Sequence, residues 1–87
     1  MPIISTFFGI LIRINSRDHN PPHFHAEYQG FKAVFEIKTG RLLAGDLPTA
    51  ARRIVKEWAL KHRKELILNW DLAQKGKIPM RIPGGDE

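Results

Sequence analysis

Eighty-seven residues, 43% of them apolar and none a cysteine, suffice for one small domain with a packed core; they exclude a second domain, a disulfide framework, a thiolate metal site and a cysteine nucleophile. Fourteen Lys and Arg against nine Asp and Glu give a formal net charge of +5 and a sequence pI near 10, a balance that favours polyanions or an acidic protein partner. The longest apolar run near the N-terminus, FFGILI, is far shorter than the roughly 20 residues of a membrane-spanning helix and follows no basic stretch of the signal-peptide kind. A soluble, cytoplasmic protein with no membrane contact is the expectation.

The first half of the chain alternates apolar and polar residues with period two, which predicts strands. Ile3 to Ile14 reads as one long strand with Ile4, Phe8, Ile10, Ile12 and Ile14 on one face, Ser5 and Arg13 on the other, and Gly9 at a bulge or bend. His23 to Tyr28 and Phe31 to Lys38 form a hairpin through Gln29-Gly30, where Gly can take positive φ. Alternation puts Phe24, Ala26, Tyr28, Phe31, Ala33, Phe35 and Ile37 on the core side and His23, His25, Glu27, Lys32, Val34, Glu36 and Lys38 on the other. Thr39-Gly40 then turns the chain into Arg41 to Gly45.

From Asp46-Leu47-Pro48 onward the period becomes helical. Ala51, Ile54, Val55, Trp58 and Ala59 make one apolar stripe, and Leu66, Ile67, Trp70 and Ala73 make another, rotated from the first by roughly a right angle. One straight helix cannot bury both, so a break is expected near Lys61 to Lys64, with the second helix ending at about Lys75-Gly76. The fold expected is α+β: an antiparallel β-meander of three to four strands packed on two C-terminal helices. Residues 1–77 form the single domain, and 78–87, rich in Pro and Gly, a flexible C-terminal tail. Trp58 and Trp70 lie on the apolar stripes and belong to the core rather than to a base-stacking surface.

Chemistry concentrates in DHNPPHFHAE, residues 18–27, which holds three of the four histidines. On a strand, His23, His25 and Glu27 project from one face, a two-histidine, one-carboxylate set suited to a divalent metal such as Zn or Fe, with His19 or Asp18 able to complete the shell. The same histidines could instead serve as general base and acid on RNA without any cofactor, as a metal-independent ribonuclease in which His23 and His25 move the protons and Glu27, His19 and Arg13 assist. The plain alternative is a rigid turn, HNPPH, with solvated histidines beyond it. His62, alone at a helix junction, reads as structural.

Positive charge gathers in the C-terminal half. Between Arg52 and Lys64 six cations meet one anion, Glu57, whereas residues 1–46 carry five cations and four anions. Arg52, Arg53, Lys56, Arg63 and Lys64 are the candidates for tracking phosphates; a solvated helix face is the alternative.

The strings MPIISTFFGILIRI, DHNPPHFHAEYQGFKAVFEIKTG and LPTAARRIVKEWALKHRKELILNWDLAQKGK resemble a small bacterial family labelled domain of unknown function 4160, over about residues 1–77. Its hallmark positions correspond to Asp18, His19, Asn20, Pro21, Pro22, His23, His25, Ala26 and Glu27. The resemblance implies a stand-alone protein, often encoded beside another small protein in the manner of toxin–antitoxin pairs. It therefore points to RNA or a small neighbouring protein as partner, with a metal-binding or protein-interaction module as the alternative to a ribonuclease.

Overall fold

Left-handed backbone positions at two-residue turns fold the first half of the chain into a meander. In the computed structural model, which describes residues 2–86, five strands lie side by side in sequence order, each antiparallel to the next: β1 (Ile3–Phe7), β2 (Ile10–Arg13), β3 (His23–Tyr28), β4 (Phe31–Glu36) and β5 (Leu42–Gly45). Met1 and Glu87, the outer ends of the expected domain and tail, lie outside the described residues.

The strand count is five, not three to four, because Ile3 to Ile14 is a hairpin. Phe8 and Gly9 take φ of +52° and +76°, a pair of positive values that reverses the chain and sets Phe7 opposite Ile10. Phe8 consequently leaves the core face and is 57% exposed, and an irregular register between Ile3 and Ser5 lets both Ile4 and Ser5 be buried. The Gln29-Gly30 hairpin forms as expected, with Tyr28 opposite Phe31. At the end of β5 the chain departs through Gly45 at φ +71°, where a Cβ would collide with the Lys32 carbonyl oxygen.

α1 (Thr49–Lys61) and α2 (Arg63–Gln74) follow, separated at His62 as the rotated stripes require. At the junction His62 Nδ1 lies 2.7 Å from Glu65 Oε1 and its ring is 5.4 Å from that of Trp58. Ala51, Val55, Trp58 and Ala59 of α1 and Leu66, Trp70 and Ala73 of α2 are buried with one face of the sheet. In that core Phe24 stacks on Phe35 at 5.5 Å, and Trp58 meets Phe7 at 5.0 Å. Burying each such side chain stabilises the fold by about 1.5–3 kcal/mol. The chain is thus α+β, with the other face of the sheet left uncovered by helices. Among the described residues, no helix is long and apolar enough to cross a membrane.

Beyond α2 the chain runs back along the outer edge of β1. Ile82 N–H donates to Ile4 O at 2.8 Å, Trp58 Nε1–H to Pro83 O at 2.9 Å, and Phe8 N–H to Asp86 Oδ2 at 3.2 Å. Buried Asn69 treats Met80 as a strand neighbour would, donating from Nδ2 to its carbonyl at 2.7 Å and accepting from its amide at 2.8 Å. Asn69→Ala removes both bonds, so it should destabilise the protein by about 2 kcal/mol and speed proteolysis between Lys77 and Met80. A urea midpoint equal to the wild type's would show that the C-terminal segment is not coupled to the core.

Candidate metal centre

The loop from Asn15 to Pro22 joins β2 to β3, and the C-terminal end of α2 holds it in place. Arg17 N–H donates to Ala73 O at 3.1 Å, and Gln74 Nε2 donates to the main-chain oxygen of Asp18 at 2.9 Å. At its far end Pro22 O accepts from Ile37 N–H at 3.0 Å, and the Asn20-Pro21 bond is cis. This frame turns Asp18 back toward the first residues of β3.

The Asp18 carboxylate gathers polar groups. Oδ1 accepts from the His19 amide at 2.8 Å and lies 2.9 Å from His19 Nδ1; Oδ2 lies 2.9 Å from His23 Nε2, 3.5 Å from His25 Nε2 and 3.4 Å from Asn15 Nδ2. Burial alone would raise its pKa, but the hydrogen bonds from the His19 amide and from His23, with the charge of His23, outweigh it and hold the carboxyl at about 2. His23 is only 3% exposed although its strand position is on the polar face, because Trp70 of α2 reaches its ring at 5.1 Å. Its Nδ1–H donates to Pro21 O at 2.7 Å.

His25, half-buried, has its Nε2 beside the Asn15 amide at 3.2 Å. Desolvation lowers its pKa, partly countered by the hydrogen bond to Asp18. One ligand atom each from Asp18, His23 and His25 lies within 4.8 Å of the others. Around a metal with bonds near 2.1 Å, ligand atoms stand roughly 3–3.5 Å apart, so the three need only a small contraction to share an ion. Two further features fit a cation. The Nδ1–H bond to Pro21 is the outer contact that aims a ligating imidazole inward. Among the described residues the buried Asn15 Oδ1 has no hydrogen-bond partner, and half a turn of that amide would present this oxygen to the cluster.

The residues expected from the sequence divide accordingly. His23 and His25 come together, and the carboxylate that joins them is Asp18 rather than Glu27. Glu27 sits one strand step past His25, about 7 Å on, and pairs with Arg13 at 2.7 Å. Arg13 stands directly across from His25 in the β2–β3 register. His19 lies exposed at the rim, its ring 5.2 Å from that of His23. His19, His23 and His25 line one concavity of about 490 Å³ on the open sheet face, and Arg13, His25, Glu27 and Lys32 line an adjoining one of about 220 Å³. Arg52, Arg53 and Lys56 border a separate cleft between α1 and β5, while Arg63 and Lys64 open α2 beyond the break. Asn15 carries no signal in the sequence, since only the fold brings it to the histidines.

A five-stranded meander on two helices, with a two-histidine, one-aspartate cluster at one end of its open face, defines the class. The family described as Domain of unknown function (DUF4160) matches residues 9–71, and the chain belongs to it. No curated protein and no solved structure matches the chain.

Because the Asp18 carboxyl titrates at about 2 in the folded chain against an ordinary 3.8, its ionised form stabilises the fold above about pH 4, and that contribution is lost as pH falls toward 2. Asp18→Asn should therefore melt below the wild type near neutral pH, the gap closing through this acid range. Thermal melts at stepped pH test it; a gap that does not narrow means the carboxylate is not the anchor.

Proposed function

We propose that the protein is a divalent-metal-binding module in which Asp18, His23 and His25 hold Zn(II) or Fe(II) at the end of the open sheet face. The observation that carries this reading is the convergence of the three ligand atoms within 4.8 Å on a frame fixed by α2. Two imidazoles and one carboxylate suit these ions. Asp18 balances the ion's charge, Pro21 O and Trp70 orient His23, and Asn15 offers its orphaned oxygen as a further donor. A metal held this way would supply a Lewis acid beside the 490 Å³ concavity that His23 and His25 line.

The ribonuclease reading has weaker support. A two-histidine acid–base pair needs two imidazoles that can reach a bound strand, and His23 is buried with both nitrogens engaged by Asp18 and Pro21. His19 is exposed and His25 partly so, and they come from different segments.

Tag-free protein titrated with Zn(II) by calorimetry, and with Co(II) by visible absorption, should bind one equivalent. His23→Ala, His25→Ala and Asp18→Asn should each weaken binding at least tenfold, whereas Glu27→Gln should leave it near the wild-type value. Substoichiometric binding that is indifferent to the three site substitutions would remove the metal reading.

A further inference from the structure

A second built feature lies on the far side of β5, away from the histidines. Thr49, Arg52, Arg53 and Lys56 stand at i, i+3, i+4 and i+7 on α1, and together with Arg41 they line a cleft of about 320 Å³ against β5. Gly40 makes the cleft possible. Its φ of +73° favours glycine, and a Cβ there would press to 3.2 Å from Lys56 Cγ, where the turn delivers Arg41 to the mouth. One carboxylate is paired there: Asp46 Oδ1 lies 3.6 Å from Arg52 Nη1, and both side chains are well exposed, which makes the contact weak and readily displaced.

The occupant follows from what the cleft offers. Four cations line it, three of them guanidinium forks that match phosphate oxygens two at a time. Its apolar lining is Phe35, fully buried, and Leu42, half-buried. Among the lining residues there is thus no exposed aromatic anchor of the sort on which protein interfaces centre; the exposed Leu60 lies outside the lining, near Gly40. Helical residues three or four apart rise about 4.5–6 Å, a step of the order of the spacing of successive phosphates on an extended strand. We infer that the cleft between α1 and β5 binds the phosphodiester backbone of a nucleic acid strand through Arg41, Arg52, Arg53 and Lys56, without reading its bases. This site is separate from the metal centre, and neither inference needs the other.

Fluorescence anisotropy of the full chain with a labelled single-stranded RNA oligonucleotide at rising salt tests the inference, with single-stranded DNA and duplex arms of equal length showing which backbone fits best. Binding should weaken linearly on a double-logarithmic plot, by about 0.7 per phosphate contacted. The Arg53→Ala/Lys56→Ala double variant should lower that slope by about 1.4, two contacts' worth, and weaken binding roughly tenfold at low salt. Arg63→Ala/Lys64→Ala should leave the slope unchanged. Asp46→Asn keeps the oxygen that accepts from Leu47 N–H while losing the opposing charge, so it should tighten binding. Equal losses in the two double variants, no binding in any arm, or equally good competition by polyglutamate would each overturn the inference.

Discussion

The organisation of one end of this molecule depends on keeping a largely desolvated carboxylate ionised. Removing a charged oxygen from water is costly unless donors replace the lost water, and around Asp18 the replacements come from every nearby segment: its own loop, the first and third residues of β3, and the residue that begins the loop. The arrangement also ties elements together, since Gln74 and Ala73 of α2 hold the same loop by its backbone. An acidic group thus draws the imidazoles inward while the helix supplies the rigid frame. A ligand set has the same composition; a metal ion would replace the protons that now bridge nitrogen and oxygen.

Features that depend on a few consecutive residues are legible in the amino-acid order alone. The Gln29-Gly30 hairpin has glycine where positive φ is required, and the two apolar stripes of the helices point in directions that only a break near His62 reconciles. The Phe8-Gly9 hairpin escapes such a reading because phenylalanine rarely adopts positive φ, so Gly9 alone suggests a bulge or bend rather than a reversal. The carboxylate partner of the histidines is harder to see for a different reason. Alternation puts Glu27 on the same face as His23 and His25, but a strand carries each successive side chain farther away. Asp18 returns on a loop held by distant residues, among them Gln74, 56 positions later. Asn15 enters the cluster by the same tertiary route.

The basic stretch is legible as a field and not as a shape. The break at His62 divides it, sending Arg52, Arg53 and Lys56 toward β5 and Arg63 and Lys64 elsewhere, and the fold adds Arg41 from a turn that no local pattern links to the helix. β5 then serves two surfaces at once: Leu42 lines the cationic cleft, while Leu43 and Ala44 line the concavity beside the histidines. A four-residue strand separates the two features with the greatest chemical content.

The parallel docking of the C-terminal segment along β1 has a kinetic side. Phe8 and Asp86 are hydrogen-bonded across 78 positions of sequence, and Ile82 closes the outer edge of the very first strand. Contacts of such long separation form late, after the loop entropy between them has been overcome. During synthesis on a ribosome the β1–β2 hairpin must therefore wait, its border unsatisfied, until residues 82–86 have emerged, and that interval is when it is most exposed to mispairing with another chain.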